Sequence, residues 1–210
     1  MVHHRSIPSI DALLESDWRQ ALPTLLGTRV ALRELQPSDA PSLFALLTVE
    51  EVSRFISPPP GTLVGFERFI AWTIRQRQTG SYICFAVTLA GDDTAIGVFQ
   101  LRELEVDFGT AEWGFAVGSA FWGSGVFAEA ATLALTFAFE RLGVHRMEAR
   151  ACAENARGNA ALRKIGAVRE AVLRRSFLRG GEYHDQNLWT IIDDDWQANK
   201  HWDARGLIVH

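Results

Sequence analysis

The sequence is poor in cysteine, and this shortage excludes a disulfide-stabilised framework. Its two cysteines, Cys84 and Cys152, each lie inside an apolar, strand-like run. Such positions favour buried and reduced thiols, which fits a cytoplasmic setting. We therefore expect the fold to rest on its apolar core alone, and 210 residues are enough for one domain with such a core.

Long apolar runs, basic clusters and metal-ligand spacings are also missing. Acids at Asp11, Glu15 and Asp17 interrupt the N-terminal segment, and no run approaches the length that spans a bilayer, so neither a signal peptide nor a membrane partner is expected. The net charge of −4 comes without a Lys/Arg cluster, which argues against nucleic acid as a partner. His145 and His184 have no metal-ligand spacing with other histidines, cysteines or carboxylates, so no metal is expected.

What the chain does contain is one continuous series of strand and helix patterns. Residues 1–27 predict a helical extension and linker, 28–192 predict a single domain, and 193–210 predict a C-terminal extension. The extensions suit packing or a homodimer contact. Within the domain the order is strand, helix, helix, three strands, helix, strand, helix, two strands, and Ser38 or Asp39 is the expected cap of the first helix.

The most unusual stretch is WGSGVFA, Trp122 to Ala128, which we call the glycine turn and which opens a long apolar helix. A helix N-terminus leaves backbone N–H groups unpaired and carries partial positive charge, so Gly123 and Gly125 would let an anion approach closely. The alternative is a tight turn that packs the helix on a sheet, and the glycines alone do not decide between the two. The few polar residues of the helix form one narrow stripe, which predicts burial of most of its surface.

The glycine turn also fits the dinucleotide fingerprint G-x-G-x-x-G/A, with Glu148 about twenty residues further on. Its context does not fit, because GSAFW separates it from the preceding strand and the last two strands form a hairpin. A P-loop is excluded because no Gly-Lys-Ser/Thr closes the motif.

Two stretches in this order, WGSGVFAEA and GVHRMEARACAENARGNAALRKIGAV, resemble the GNAT superfamily of acetyl-CoA-dependent N-acetyltransferases, and within it the RimJ/RimL-type branch. The resemblance extends from Thr28 to about Ile192. It implies an α/β fold with a mixed, mostly antiparallel sheet of about seven strands flanked by helices. It also implies a V-shaped split in that sheet, where acyl-CoA lies.

The resemblance assigns the cofactor site residue by residue. Backbone N–H groups of the glycine turn would bind the pyrophosphate, the strand backbone before it would hold the thioester oxygen, and Asn155 would lie near the pantetheine arm while also capping its helix. Trp122 and Phe127 depart from the family pattern, which has a polar residue and a small residue there. The expected cofactor-binding residues are Ala116, Val117, Trp122, Gly123, Ser124, Gly125, Val126, Phe127, Ala128, Asn155 and Gly158.

Acetyl transfer to an amine needs a neutral nucleophile, so a carboxylate that takes a proton raises the reactive fraction. Glu112 is the candidate base, since it lies on the strand beside the expected split, and Asn155 is the second expected catalytic residue. The alternative is a solvent-facing strand glutamate, because the sequence does not decide which face is the cleft. Where many GNAT enzymes carry a tyrosine as general acid this chain has Leu162, and the choice between water, Tyr183 and Ser176 stays open.

The resemblance predicts transfer from acetyl-CoA to a primary amine, either a protein N-terminus or a small amine, in a ternary complex. The loops FISPPPGT and LRGGEYH would border the acceptor cleft. Acids at Glu103, Glu105 and Asp107 either attract a cationic acceptor or form a solvated strand end. The two departures in the glycine turn and the missing tyrosine motivate an alternative function, a non-catalytic acyl-CoA-binding or regulatory module.

Overall fold

The computed structural model describes residues 17–203, which form one eight-stranded sheet flanked by helices. Its strand order is β1-β2-β3-β4-β5-β6-β8-β7, and all neighbours are antiparallel except β5 and β6. The strands are β1 Leu25–Leu26, β2 Val30–Glu34, β3 Tyr82–Leu89, β4 Asp92–Glu103, β5 Thr110–Val117, β6 Arg146–Cys152, β7 Val168–Arg179 and β8 Glu182–Ile192.

Six α-helices lie within residues 17–203. They are α1 Ala40–Leu47, α2 Glu50–Ser53, α3 Leu63–Thr79, α4 Val126–Phe137, α5 Ala156–Lys164 and α6 Asp193–Asp203. A π-helical turn, Ala138–Leu142, extends α4. The predicted order of elements is confirmed except for β1 and the four-residue helix α2, which were not predicted. The helix α6 begins at Asp193 with three acids in its first turn, where they face the positive end of the helix dipole.

The eighth strand, β1, was not predicted. Leu25 and Leu26 pair antiparallel with β2, although the sequence pattern assigned them to a linker outside the sheet. Two residues are too few to show an alternation, so no periodicity could identify this strand. The predicted N-terminal amphipathic helix lies largely in residues 1–16, outside the described residues. Trp18 is described, and its ring packs edge-on against Phe108 with a centroid distance of 5.7 Å.

Alternation along β3 distributes side chains into two apolar layers. Phe85 points to the layer under α4, where its ring meets Phe137 at a centroid distance of 5.3 Å. Cys84 and Ala86 point to the opposite layer, which α1 and α3 cover. Because both faces are covered, nearly the whole strand is buried. The burial predicted for most of the surface of α4 is confirmed by its six buried residues.

Asp39, one of the two expected caps, occupies the N-cap position of α1, but its side chain does not cap the helix. The Asp39 side chain makes no capping bond to α1 and instead lies buried in an ion pair with Arg33, with Arg33 Nη2 at 2.8 Å from Asp39 Oδ1. It also accepts a hydrogen bond from the Gln36 backbone N–H at 2.8 Å. A buried carboxylate needs a charged partner more than an exposed helix end needs a cap.

The sheet divides between β5 and β6, as the resemblance implies. The two parallel strands pair only from Thr110 to Glu112 on β5 and from Arg146 to Glu148 on β6. Beyond these pairs β5 stays with β4 as far as Val117, while β6 stays with β8 as far as Cys152. The strands therefore diverge and open a V-shaped split toward their C-terminal ends.

A buried asparagine anchors α5 beside this split. Asn159 is 7% exposed, and its Nδ2 donates to the carbonyl oxygens of Cys152 at 2.9 Å and Asn155 at 2.7 Å. Its Oδ1 accepts from Asn187 Nδ2 at 2.8 Å and from Trp189 Nε1 at 2.9 Å. One amide thereby ties the helix to β6 and β8, and its donors and acceptor are all used.

We expect the substitution Asn159→Leu to lower the free energy of unfolding by about 3 kcal/mol, because it leaves the buried Asn187 Nδ2 and Trp189 Nε1 donors without the Asn159 acceptor. Urea denaturation followed by circular dichroism measures the change. The control is Thr132→Val, which removes a hydroxyl bond to the Ala128 carbonyl on an exposed face of α4 and should cost within about 0.5 kcal/mol. Equal stability of the two variants would contradict the anchoring role.

Candidate active site

A cavity of about 640 Å³ lies at the split, between the end of β5 and the first turns of α4 and α5. Nine of the predicted cofactor-binding residues line it: Ala116, Val117, Trp122, Gly123, Gly125, Phe127, Ala128, Asn155 and Gly158. The other two, Ser124 and Val126, belong to the glycine turn but are not lining residues. The fold therefore gathers residues from three separate stretches around one space.

The glycine turn presents the N-terminus of α4 without a side-chain cap. Gly123 and Gly125 have φ of +74° and +88°, a backbone conformation that other residues rarely adopt. Ser124 braces the turn through its hydroxyl, which donates to the Phe121 carbonyl at 2.6 Å, while Val126 is buried in the core. The first amides of a 12-residue helix thus border the cavity, which is the arrangement that binds phosphate oxygens.

An arginine that the sequence analysis missed lies against this turn. Arg29 Nη1 donates to the Ser124 carbonyl at 3.0 Å, and a Cβ atom added at Gly125 would lie 2.6 Å from the same nitrogen. Glu129 in the first turn of α4 holds the backbone in place, since its carboxylate accepts from the N–H groups of Arg29 and Thr28. Arg29 lies about a hundred residues before the turn, so no local pattern connects the two.

Trp122 and Phe127, the two aromatic residues that depart from the family pattern, line the cavity. Trp122 Nε1 donates to the Val117 carbonyl at 2.9 Å, and the Arg157 guanidinium lies 4.0 Å above the Trp122 ring. The Phe127 ring packs against Phe115, with a centroid distance of 4.4 Å. Both rings are thereby held by contacts outside the phosphate-binding backbone.

The backbone of β5 turns polar groups toward the split. The Gly118 N–H donates to the Ile96 carbonyl on β4 at 2.9 Å. Because successive residues of a strand direct their N–H and C=O groups to opposite sides, those of Val117 point to the β6 side. Trp122 uses the Val117 carbonyl, which leaves the Val117 N–H as the group that can meet a ligand in the split.

Asn155 caps α5, as predicted, and its Oδ1 accepts from the Gly158 N–H at 2.9 Å. A Cβ atom at residue 158 would lie 2.5 Å from Asn155 Nδ2 and 3.0 Å from Asn155 Cγ. A side chain there would therefore require the Asn155 amide to shift.

Glu112 lies at the vertex of the split and away from the cavity lining. It is the last β5 residue paired with β6, where it faces Glu148. Its carboxylate forms an ion pair with Arg102 Nη2, and the side chain is 21% exposed. The carboxylates that do line the cavity are Glu51 and Glu154, which the sequence analysis did not single out.

The expected acceptor loops meet at a second cavity of about 510 Å³. Pro58 comes from the first loop, and Leu178, Arg179, Gly180 and His184 come from the hairpin. The second cavity adjoins the first, since Arg54, Phe55 and Glu154 line both. None of Leu162, Ser176 and Tyr183, the positions considered for a general acid, lines either cavity, and Tyr183 is 63% exposed.

The acids at the end of β4 do not border these cavities. Glu103, Glu105 and Asp107 are absent from both linings, and the Glu105 carboxylate accepts from the Thr110 hydroxyl at 2.9 Å. Within residues 17–203, no helix has the length and apolar character needed to cross a membrane.

Comparison with known proteins agrees with this geometry. Residues 29–168 match the Acetyltransferase (GNAT) domain. The uncharacterized N-acetyltransferase YoaA of Bacillus subtilis (strain 168) is 26% identical over 184 residues, which cover 81% of this chain and 97% of YoaA. YdaF of the same organism, named provisionally as a ribosomal N-acetyltransferase, is 26% identical over 83% of this chain and 97% of its own length.

A solved structure of Mycobacterium smegmatis RimJ in complex with CoA-disulfide superposes with a TM-score of 0.75, at 20% identity over 84% of this chain and 89% of RimJ. At that identity the likeness concerns the fold. The domain match covers the glycine turn, both strands of the split and Asn155, and the similar sequences are N-acetyltransferases. The chain therefore belongs to the GNAT family, and it is an acetyltransferase enzyme rather than a non-catalytic module.

Proposed function

We propose that this enzyme transfers the acetyl group of acetyl-CoA to a primary amine by direct attack in a ternary complex. The observation that carries the proposal is the uncapped N-terminus of α4, which borders a cavity at the point where the sheet divides. A phosphate-binding helix end and an open strand edge are thereby available to one ligand.

The charges around the first cavity suit the phosphates of coenzyme A. Arg29 lies against the glycine turn, and Arg157 and Lys164 line the cavity from α5. Guanidinium groups form strong charge-assisted bonds with phosphate oxygens. We infer that the pyrophosphate lies at Gly123 and Gly125, with these cations around it.

The thioester end of the cosubstrate would then lie along β5. The Val117 N–H points into the split and can donate to the thioester oxygen, where negative charge develops during attack. Asn155 uses Oδ1 in its cap, so Nδ2 is the group that can donate to the pantetheine arm. The thiolate of coenzyme A leaves as the amide bond forms.

The acceptor would enter through the second cavity. It is lined by charges of both signs, Glu50 and Glu154 against Arg54 and Arg179, so it offers carboxylates for an amine and guanidinium groups for the polar atoms around it. The cavity also adjoins the first through shared lining residues. Two adjoining cavities suit an extended acceptor such as a protein N-terminus, and the provisional name of YdaF points to the same class. A small amine remains the alternative class of acceptor.

We expect the substitution Gly125→Glu to weaken acetyl-CoA binding at least about 100-fold, because it strains a residue at φ +88° and places a carboxylate where the phosphates bind. Isothermal titration calorimetry measures the affinity, and circular dichroism checks folding. Gly91→Glu is the matched control, since Gly91 has φ +85° in a hairpin away from both cavities. Wild-type affinity in a folded Gly125→Glu variant would refute the phosphate site.

For Arg29 we expect Arg29→Met to weaken acetyl-CoA binding about tenfold, since a hydrogen bond to a charged group is worth about 1.5–3 kcal/mol. Arg29→Lys keeps the charge and should recover part of the affinity. Arg174→Met, an exposed arginine on β7, is the control and should bind as the wild type does. Unchanged affinity in Arg29→Met would remove Arg29 from the cofactor site.

We expect substitution of Glu112 to lower kcat. Glu112 lines neither cavity, so we propose that it takes the proton of the amine through water from its place at the vertex of the split. Glu112→Gln should then lower kcat about 100-fold or more, the usual size of general-base catalysis, and leave the acetyl-CoA dissociation constant unchanged. Glu148→Gln is the matched control, because Glu148 lies opposite on β6 and is likewise paired with an arginine, at 2.9 Å from Arg146 Nε. If kcat falls in Glu154→Gln and not in Glu112→Gln, the base is the carboxylate that lines both cavities.

A further inference from the structure

Three side chains of metal-binding type meet beside the second cavity. Cys152, Glu154 and His184, which we call the Cys-Glu-His cluster, offer ligand atoms that all lie within 4.8 Å of one another. His184 Nδ1 is 3.3 Å from Glu154 Oε1. All three residues line the second cavity.

The pairing of β6 with β8 brings the cluster together. Cys152 faces Gln186 across the ladder, and the Ala153 N–H donates to the Asp185 carbonyl at 2.9 Å. Continuing that register by one residue sets Glu154 opposite His184. Cys152 ends β6 and His184 lies on the neighbouring strand β8, while Glu154 lies in the turn that follows β6. Two of the three side chains are therefore placed by the sheet, and the third by the turn before α5.

The three ligand types are those that zinc prefers. A thiolate, an imidazole nitrogen and a carboxylate oxygen bind Zn²⁺ at about 2.0–2.3 Å, which separates tetrahedral ligands by roughly 3.3–3.8 Å. The contact between His184 and Glu154 already has that spacing. Rotamer shifts of the half-buried His184 and the exposed Glu154 can bring the remaining separations into range.

The charge balance at the cluster depends on its two acidic ligands. Arg54 and Arg179 line the same cavity and oppose a cation, so a divalent ion there needs negative ligands to offset them. The carboxylate of Glu154 would supply one negative charge, and the Cys152 thiol would supply another once the metal ion displaces its proton. Cys84, the other cysteine, lies in the apolar layer under α1 and α3, and burial raises the pKa of its thiol.

We propose that Cys152, Glu154 and His184 form a binding site for a divalent, thiolate-binding metal ion of the Zn²⁺ type, with a fourth position left for water or a substrate atom. The site lies where the two cavities adjoin, because Glu154 lines both. A metal there places a Lewis acid beside the path of the acceptor. This proposal replaces the expectation of no metal, which rested on spacing along the sequence.

Titration of the reduced full-length protein with Co²⁺, which substitutes for Zn²⁺ and reports thiolate ligation, tests the site. Wild type should show a near-ultraviolet thiolate-to-cobalt charge-transfer band that saturates at one ion per chain and disappears when Zn²⁺ is added. Cys152→Ser should lose the band, and Cys84→Ser, the matched control, should retain it. The six histidines of the chain cannot imitate this result, because histidine ligation alone gives no thiolate band.

His184→Gln supplies a second test that leaves the thiol in place. Loss of one ligand should weaken Co²⁺ binding at least about tenfold, and circular dichroism should show a folded variant. The proposal is overturned if the wild type shows no band, if the band persists in Cys152→Ser or depends on Cys84, or if His184→Gln binds Co²⁺ as the wild type does. Each readout is spectroscopic, so the outcome does not depend on acetyl transfer.

Discussion

The candidate active site depends on the short hydrogen-bonded pairing between β5 and β6, which ends before the strands do. β5 and β6 pair over three residue pairs, and each strand then follows its outer neighbour. From that point the inner edges of both strands present backbone groups that must find other partners, because buried backbone polar groups are rarely left unpaired. At Val117 the indole of Trp122 satisfies the carbonyl. The remaining groups form an edge to which a ligand with amide groups can bind.

Each side of the split has contacts that hold its own elements in place. On the β5 side, α4 packs under the sheet with most of its surface buried. On the β6 side, Asn159 joins α5 to β6 and β8 through four hydrogen bonds that use its whole amide. The two sides also share one apolar core, because Ala149 of β6 and Leu162 of α5 belong to the same buried cluster as Ala130 of α4. Packing therefore joins the two sides although the backbones of β5 and β6 diverge.

The cofactor site and the rest of the sheet are connected through a second set of contacts. Glu129, one of the few polar residues of α4, accepts from the backbone of Thr28 and Arg29 at the start of β2. That contact sets the Arg29 guanidinium beside the glycine turn. Polar residues along one side of a helix usually face solvent. Glu129 of α4 instead binds the backbone at the start of β2, about a hundred residues earlier in the chain.

Much of the fold could be predicted from the sequence, because most of its strands and helices are indicated by local residue patterns. Alternation predicts β2 and β5, the glycine turn predicts the start of α4, and the local patterns predict most of the order of elements. The divided sheet was implied by the resemblance to the GNAT superfamily. The two-residue strand β1 and the burial of Asp39 escaped prediction, since the first depends on pairing with β2 and the second on the charge of Arg33.

The candidate active site was likewise predictable only in part. The sequence by itself determined the glycine turn and the Asn155 cap, because backbone conformation and capping depend on residues within one turn of chain. Only the tertiary structure decided that Arg29 lies against Ser124, that Glu112 is paired with Arg102 at the vertex, and that Cys152, Glu154 and His184 meet. Strand register and long-range packing produce these contacts, and neither leaves a pattern in the order of residues.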